Sequence, residues 1–530
     1  MRIDRVYIKE YKNLLEFKIN LDENEMKTVL LGQNATGKSN FMEALILIFK
    51  HLDLSTDSKR QGPDFDYNIV YIIKNNKVDI TYNSGNYTIV VNEEKQTFKS
   101  FFSHFGKSDF QPKYVFTYYS GLSNKLKEHF WEHQKKFYDK IISDNFKEEE
   151  LDSLRKLFYV QLVHSYFVLL AYFTHEEEES TKFLNEVLHI EDIESILFVL
   201  KMPTWAKNRI KDNPDDIFWT AKGLVRPFLE KLWDLSLAPI YHTKDVQIDF
   251  DDYDPQEQLY LFLKGKDKLK ELANTYINNT ALFKALESTY ISKLIAEVRI
   301  KVKKKNVDGS ITFKELSEGE QQLLTVLGLL KFTKDEDSLI LLDEPDTHLN
   351  PIWKWRYLEF LDKVVDRPAS TQIILNTHDP LVIGGLRKEE VRIFRMSGNK
   401  VLEIEMPSVD PRSMDIVGIL RSELFGLPSV LSKYMQLKLN RKRYLLFRIE
   451  NKKATEEEIT EYKEIQQEIT DSGFNDSSYD PWYTRYLESI SENPLFQKVE
   501  FTEEEETELQ KLSDLIIEKI TKERFSSESN

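Results

Sequence analysis

The segment GQNATGKS at residues 32–39 constrains the fold most, because it requires a strand before it and a helix after it. It fits the pattern G-x-x-x-x-G-K-[ST], follows the apolar run KTVLLG and precedes the apolar run FMEALILIF. Gly32 and Gly37 would let the backbone curl so that its N–H groups face the phosphates of a nucleotide at a helix N-terminus. Lys38 would reach the β- and γ-phosphates, and Ser39 would hold Mg²⁺. The sequence therefore predicts a nucleotide site that uses ATP and Mg²⁺.

A second motif, SLILLDE at residues 338–344, ends a buried strand in two carboxylates. Ligands of open α/β sheets bind at the carboxyl ends of the strands, so both side chains are predicted at the nucleotide. Asp343 would bind Mg²⁺ directly or through water, and Glu344 would orient and deprotonate the attacking water. The segment NTHDP ends the next strand and places His378 at the same edge, near the γ-phosphate.

The stretch LSEGEQQLL at residues 316–324 opens an apolar helix and has two interpretations. Ser317 with Glu320 makes an ordinary capping box. Alternatively, the hydroxyl of Ser317, the backbone at Gly319 and the helix dipole would suit a γ-phosphate. These residues alone do not separate the two interpretations, but beside the other motifs the phosphate interpretation is favoured.

Composition excludes several classes of protein. The chain has no cysteine, which rules out disulfides, cysteine zinc sites and thiol catalysis, and fits a reducing cytoplasm. No apolar stretch is long enough to span a membrane, and the start has no signal-peptide pattern. The net charge of −16 argues against indiscriminate nucleic-acid binding. Two basic clusters, VRIKVKKK at 298–305 and RKR at 441–443, are most simply solvated faces.

The order of elements predicts an α/β protein with a parallel sheet. Alternating strand patterns dominate the N-terminal part, long helical patterns follow, and a β–α–β alternation then returns before an acidic helical end. We therefore expect four regions. Residues 1–120 form the N-terminal part of the nucleotide-binding domain, and residues 121–296 form a mainly helical insertion. Residues 297–408 form the C-terminal part of that domain, and residues 409–530 form a helical region for partner binding or oligomerisation.

The order GxxxxGKS, LSEGEQQ, LLLDEPDTHLNP, NTHDP resembles that of ABC-type ATPases, specifically the SMC, Rad50, RecF and OLD branch. The resemblance covers residues 1–50 and about 297–396. It implies an ABC-type (SMC-like) ATPase head that pairs with a second head and encloses ATP between them. The residues it implies are Asn34, Gly37, Lys38 and Ser39 holding ATP in one head, Ser317, Gly319 and Glu320 contacting it from the other, Asp346 in the D-loop, His378 as the switch histidine, and Lys12 and Asn13 in an early loop that touches phosphate.

One position departs from this family. The segment KYVFTYYSG at residues 113–121 stands where a Q-loop glutamine is expected, but it ends in Tyr118, Tyr119 and Ser120. The completion of the Mg²⁺ shell is therefore left open by the sequence.

The rest of the chain narrows the branch. Residues 121–296 contain no long heptad arm, cysteine for a zinc hook is absent, and no Toprim nuclease pattern follows residue 410. The segments DPRSMDIVGILRSELFGLPSV (410–430) and DSGFNDSSYDPWYTRYLESI (471–490) resemble the PtuA ATPase subunits of bacterial Septu defence and of related retron systems.

This second resemblance implies the partners. They are a second copy of the chain, as a head-to-head dimer or higher even oligomer, and an HNH nuclease subunit like PtuB. A nucleic acid or a retron RNA–DNA complex is a further candidate. The predicted function is an antiphage ATPase that controls its partner nuclease. Two alternatives remain: a RecF- or Rad50-like DNA-repair clamp, and an OLD-like ATP-dependent nuclease.

Overall fold

A computed structural model describes the chain except at residues 56–59, 104–109, 122–124, 144–155, 175–180, 207–214, 248, 306, 308, 333–336, 365–369, 397–401, 428–429, 451, 472–494, 496–502 and 528–530. The described residues form two compact units, Met1–Pro428 and Ser429–Asn530. Most of the segment 471–490, which carried part of the second resemblance, lies outside the described residues.

The strands are numbered in chain order: β1 Arg2–Tyr11, β2 Leu14–Asn20, β3 Lys27–Gly32, β4 Tyr67–Ile73, β5 Asn76–Asn83, β6 Asn86–Val91, β7 Glu94–Gln96, β8 Tyr114–Tyr119, β9 Leu157–Tyr159, β10 Ile190–Lys201, β11 Ile240–Gln247, β12 Tyr253–Lys264, β13 Ile295–Lys304, β14 Ser310–Thr312, β15 Ser338–Asp343, β16 Gln372–Asn376, β17 Val391–Met396 and β18 Leu402–Glu405.

The α-helices are numbered likewise: α1 Lys38–Leu54, α2 Phe98–Ser103, α3 Lys125–His129, α4 Trp131–Ile141, α5 Val163–Tyr172, α6 Val225–Leu235, α7 Gly265–Ala273, α8 Asn279–Ile291, α9 Glu318–Phe332, α10 Pro351–Val364, α11 Pro380–Ile383, α12 Ile416–Arg421, α13 Lys433–Glu450, α14 Glu456–Asp471 and α15 Glu503–Ser527. Across the described part of the chain, no helix combines the length and apolarity that crossing a membrane requires.

A seven-stranded sheet of order β18-β17-β3-β16-β15-β8-β9 forms the centre of the first unit. All its pairs are parallel except β17–β18, which confirms the predicted parallel sheet. Alternate residues of β15 enter two different cores, since Leu339 and Leu341 face one side and Ile340 and Leu342 the other. A strand buried on both faces must be apolar throughout, which explains the run SLILL.

A six-stranded antiparallel sheet of order β2-β1-β4-β5-β6-β7 covers one face of this centre. Helix α1 is packed between the two sheets, and its residues Phe41, Leu45 and Ile48 share one core with inward residues of β1 and β4. The start of α1 is thereby held rigidly at the carboxyl end of β3.

The interval 121–296 contains the predicted helices but also three long strands that the sequence analysis did not predict. Strands β10, β11 and β12 join β13 and β14 in a five-stranded antiparallel sheet of order β11-β12-β10-β13-β14. In β10, residues Ile190, Ile193 and Ile196 recur every three positions, as they would on a helix. Register shifts after Ile190 and Ile193 each insert one extra residue, so all three isoleucines point inward although they are three positions apart. Because of these bulges, the strand has the residue spacing of a helix.

The first unit also extends beyond the predicted boundary at residue 408. Helix α12 and the following turn place Ile419 and Leu424 in the main core of the first unit. The second unit contains α13, α14 and α15. Within it, α13 and α14 are joined by hydrogen-bonded ion pairs, including Arg441 with Glu461 and Arg448 with Glu458.

Candidate nucleotide-binding site

The loop between β3 and α1 has the strained backbone that its two glycines permit. Gly32 has φ +145° and Gly37 has φ +98°, both in the range that favours glycine. A Cβ on Gly32 would lie 2.4 Å from the carbonyl oxygen of Phe394 in β17. A Cβ on Gly37 would lie 2.8 Å from Leu14 and 2.9 Å from Asn13. The loop is therefore clamped between β17 and the β1–β2 turn.

Lys38 is buried at the start of α1, and its ammonium lies inside the loop. Its Nζ donates to the carbonyl oxygens of Gly32, at 2.8 Å, and of Gln33, at 3.0 Å. Burial lowers the pKa of Lys38 to about 8, although the nearby carboxylates of Asp343 and Glu344 act in the opposite direction. Both carboxylates are thus within electrostatic reach of the lysine, although some 300 residues separate them along the chain.

This lowered pKa predicts how nucleotide affinity depends on pH. Contact with phosphate favours the charged ammonium, so binding should raise the pKa of Lys38 and take up a proton above pH 8. We expect the ATP affinity to fall above about pH 8, by up to about tenfold per pH unit. Calorimetry in buffers of different ionisation enthalpy measures the proton uptake. Lys38→Arg keeps its charge and should abolish the decline; an affinity unchanged between pH 7.5 and 9.5 would contradict the assignment.

Asp343 ends β15 in a buried position beside the loop. Its Oδ1 accepts a hydrogen bond from the amide of Asn376, and the Ser39 hydroxyl also bonds to the carboxylate. Burial raises the pKa of Asp343, and these hydrogen bonds only partly offset that effect. The other oxygen, Oδ2, has no hydrogen-bond partner among the described residues.

These groups fit the predicted magnesium ion. A buried carboxylate oxygen without a partner beside a serine hydroxyl is an oxygen donor set that suits Mg²⁺. The described residues contain no cluster of three or more His, Asp or Glu side chains that would hold a metal by themselves. Such an ion would take its other ligands from phosphate and water, as Mg²⁺ commonly does.

Glu344 follows Asp343 and turns away from the strand with φ +52°, an unusual value for a residue with a side chain. Its N–H donates to the carbonyl oxygen of Asn376 at 2.9 Å, which ties the start of this loop to the end of β16. The carboxylate lies 3.5 Å from Nε2 of His378. Burial and the charge of Lys38 lower the pKa of His378, so the imidazole is neutral at pH 7.

Asp346, which the resemblance places in the D-loop, is buried behind this site. Its Oδ2 accepts a hydrogen bond from Thr377 at 2.9 Å, and burial raises its pKa to about 6. Nearby, the hydroxyl of Thr347 donates to the carbonyl of Glu344 and lies 3.0 Å from the hydroxyl of Ser120. The loop that carries Glu344 is therefore tied to two neighbouring strands.

The strand expected to carry the Q-loop does lie beside Asp343. Strand β8 pairs in parallel with β15 and places Tyr119 directly opposite Asp343. The N–H of Ser120 donates to the carbonyl of Asp343 at 3.2 Å. The strand lies beside β15 as expected, and its end carries the hydroxyls of Tyr118, Tyr119 and Ser120 where a glutamine amide was expected.

The segment at Ser317 forms the capping box that was one of its two interpretations. Ser317 donates to the Glu320 carboxylate through both its N–H and its hydroxyl, each at 2.9 Å. Lys304 also bonds to that carboxylate. The role of Glu320 within its own chain is therefore structural, and its predicted contact with ATP would require this network to open.

Gly319 has a separate reason to be glycine. A Cβ there would lie 2.6 Å from the carbonyl oxygen of His348 in the D-loop. The start of α9 is thus packed against the loop that carries Glu344 and Asp346. The described contacts of Ser317 and Gly319 do not include the P-loop of the same chain.

Lys12 and Asn13 lie beside the P-loop, and their contact with phosphate stays a prediction. Asn13 donates to the carbonyl of Ala35 at 2.9 Å and accepts from Asn40 at 2.7 Å. Lys12 forms an ion pair with the buried Glu43 of α1. Asn34 is exposed in the loop, and its contact with ATP stays a prediction.

The buried acid Glu43 belongs to none of the sequence motifs. Its carboxylate lies 2.8 Å from Nε2 of His129 and 3.3 Å from Nζ of Lys125, in addition to Lys12. Burial acts to raise its pKa, but the hydrogen bonds from His129 and Lys12 outweigh this effect and lower it to about 2. An acid among the apolar residues of FMEALILIF was the available signal, since an unpaired carboxylate would not be buried there.

Together, the parallel sheet, the P-loop and the carboxylates at one sheet edge define an ATPase head of the ABC type. The chain belongs to the family described as "AAA domain, putative AbiEii toxin, Type IV TA system", whose match spans residues 27–384 and therefore more than half of the chain. This membership supports ATPase activity and nucleotide binding.

Similar proteins include Septu protein PtuA from Bacillus mycoides (strain KBAB4), which is 24% identical over 216 residues. That match covers 39% of this chain and 29% of the relative's length. The SMC head domain from Thermotoga maritima is 14% identical, with a TM-score of 0.32, over 77% of this chain and 100% of that one. The recombination mediator protein RecF with ATP is 15% identical, with a TM-score of 0.27, over 76% and 97%.

Proposed function

We propose that this protein is an antiphage ATPase whose heads pair around ATP and thereby control a partner nuclease. The observation that carries the proposal is the convergence of Lys38, Ser39, Asp343, Glu344 and His378 at one sheet edge. These residues contain, in one place, a phosphate-binding ammonium, a magnesium donor set and a carboxylate beside a neutral imidazole.

Each side chain has a defined task in this proposal. Lys38 exchanges its bonds to the loop carbonyls for bonds to phosphate oxygens, which accept from an ammonium more strongly. Ser39 and Asp343 would hold Mg²⁺, which when bound neutralises phosphate charge. Glu344 accepts a proton from the attacking water, and neutral His378 hydrogen-bonds at the γ-phosphate end of the site.

Pairing of two heads would explain the separate location of Ser317. Its side chain is exposed, while Gly319 is buried against the D-loop. Once its bond to Glu320 opens, an exposed hydroxyl at a helix N-terminus would be available to a phosphate held by a second chain. ATP would then connect two copies, and hydrolysis would remove the γ-phosphate that both chains contact.

The pairing is tested by Ser317→Arg in a Glu344→Gln background. We expect ATP binding by the monomer to change less than about twofold, whereas ATP-dependent dimerisation is lost because an arginine blocks the close approach of two heads. Light scattering after size-exclusion chromatography, with and without ATP, measures the dimer. Ser317→Thr keeps the hydroxyl and the cap and should still dimerise. Ser413→Arg, with the same charge change at another exposed serine, is the matched control. Normal dimerisation of Ser317→Arg would refute pairing through this residue.

The nuclease partner rests on the resemblance to PtuA, and the similarity to a Septu protein PtuA supports a partner subunit. We propose that an HNH nuclease subunit is held by the C-terminal helices and released or activated when the nucleotide state changes. Co-expression with proteins encoded beside this gene, followed by mass measurement of the purified complex, tests this part. A complex that contains only this chain would contradict the proposed nuclease partner and leave the ATPase assignment intact.

A further inference from the structure

The outer face of the five-stranded sheet carries an arrangement that the ATPase does not use. Alternate residues of β12 and β13 point inward, and Leu261, Leu263, Ile300 and Val302 are buried in the core. The residues between them must point to the opposite face, because side chains alternate along a strand. That face contains cations on β13 and aromatic rings on β12.

Cross-strand pairing places these groups next to one another. Leu197 of β10 lies between Phe262 of β12 on one side and Arg299 of β13 on the other. One step along the sheet, Ser195 lies between Lys264 and Lys301 in the same way. Each of these rows therefore runs across three adjacent strands and carries a cation on β13, whereas the next outward row, Tyr260 with Val199, ends in Glu297.

The aromatic side of the face is partly open to solvent. Tyr260 and Phe262 are half-buried and border a shallow pocket of about 480 Å³ with Leu197, Leu237, Ile240 and His242. Leu237 is 72% exposed and Ile240 is 57% exposed, which is unusual for side chains of this size. An apolar floor of this kind is suited to a flat hydrophobic ligand group.

The cationic side is locally positive although the chain as a whole is strongly acidic. Arg299, Lys301 and Lys303 are exposed on alternate positions of β13, about 6.8 Å apart at the usual strand rise. Acids also lie here among the described residues: Glu297 bonds to Arg299, Asp192 lies opposite Lys303, and the exposed Glu194 precedes Ser195 at a bulge of β10. Lys264 and Lys301 have no acid opposite them in the β10 register, since both face Ser195.

We propose that this face, defined by Tyr260, Phe262, Lys264, Arg299 and Lys301, binds single-stranded nucleic acid. Its bases stack on the two rings and its phosphates contact the three cations. Open sheets with aromatic residues on an inner strand bind unpaired bases in this way, because a duplex keeps its bases stacked on each other. A purely apolar protein surface would account for the apolar pocket but not for the cations beside it. The inference goes beyond the proposed function and does not depend on ATP hydrolysis.

The test measures binding of fluorescein-labelled 20-nucleotide oligo(dT) and oligo(U) to the full chain by anisotropy, with a duplex of the same length for comparison. We expect the single strands to bind at least tenfold more tightly than the duplex. Three phosphate contacts predict a slope of about −2 for log affinity against log salt. The double variant Lys301→Glu/Lys264→Glu should weaken binding at least tenfold and flatten that slope.

The aromatic contribution is tested separately by Tyr260→Leu/Phe262→Leu, which keeps apolar side chains on the sheet. We expect about tenfold weaker binding to single strands and no change in the salt slope. Lys77→Glu/Lys95→Glu, on exposed positions of the six-stranded sheet, makes the same charge change and should leave affinity unchanged. The proposal is overturned if no single strand binds, if the control weakens binding equally, or if duplex binds as well and the leucine variant has no effect. If the ATPase rates of these variants are unchanged, a loss of nucleic-acid binding concerns this face alone and leaves the proposed ATPase function intact.

Discussion

Glu344→Gln is expected to bind ATP normally and to hydrolyse it about 100- to 10,000-fold more slowly than the unmodified protein. The carboxylate lies beside His378 and follows the aspartate that bonds to Ser39, so it is placed at the γ-phosphate end of the site. Glutamine has nearly the same size and keeps a hydrogen-bonding oxygen, but it cannot accept a proton from water. The loss should therefore fall on turnover and leave the KM and the Kd for ATP within about threefold.

Two measurements separate this result from a general defect. Phosphate release under saturating ATP gives the turnover number, and binding of a fluorescent ATP analogue gives the affinity. Glu359→Gln, an exposed glutamate on α10, is the matched control and should hydrolyse ATP at the normal rate. A normal rate in Glu344→Gln would show that another group accepts the proton. Slow hydrolysis should also make the ATP-bound dimer accumulate in this variant.

Lys38→Ala should lose ATP binding. The ammonium is buried, and removing one member of a buried charged contact costs about 3 kcal/mol, which corresponds to roughly 150-fold in affinity. Without nucleotide, the same change leaves the carbonyls of Gly32 and Gln33 without their present donor, so the loop should also become less stable.

Isothermal titration with ATP and Mg²⁺ measures the affinity of Lys38→Ala, and its thermal unfolding without nucleotide shows whether the fold survives. Lys50→Ala, near the other end of α1, removes a lysine whose partner Glu132 is 3.8 Å away, and it should bind ATP as before. Unchanged affinity in Lys38→Ala would refute the assignment of the loop. Loss of affinity in both variants would indicate damage to the helix instead.

The strongly patterned parts of the fold were predictable because their burial and backbone conformation depend on residues that are close together in the sequence. Strands β3, β15 and β16 are short apolar runs that must be buried on both faces, and GQNATGKS permits few backbones other than the observed loop. Parallel strands place their carboxyl ends at one edge, so the proximity of Lys38, Asp343 and His378 followed from topology.

Strand β10 shows where local pattern failed. Its isoleucines have helical spacing, and only pairing with β13 introduces the bulges that bring them to one face. Likewise, the pattern of Ser317 and Glu320 allowed a cap or a phosphate site, and the structure shows the cap without removing the exposed hydroxyl.

The sequence by itself determined the P-loop, the carboxylate pair and the parallel sheet. Each depends on residues that are neighbours in the chain, or on the rule that parallel strands place their carboxyl ends at one edge of the sheet. Tertiary structure alone decided the ion cluster at Glu43 and the adjoining cations and rings of the five-stranded sheet. These arrangements bring together residues from elements that are far apart in sequence. Lys12 and Lys125 both contact Glu43, and Phe262 and Arg299 flank the same residue of β10. Their contacts depend on strand register and helix docking, which are set by the packing of the whole unit.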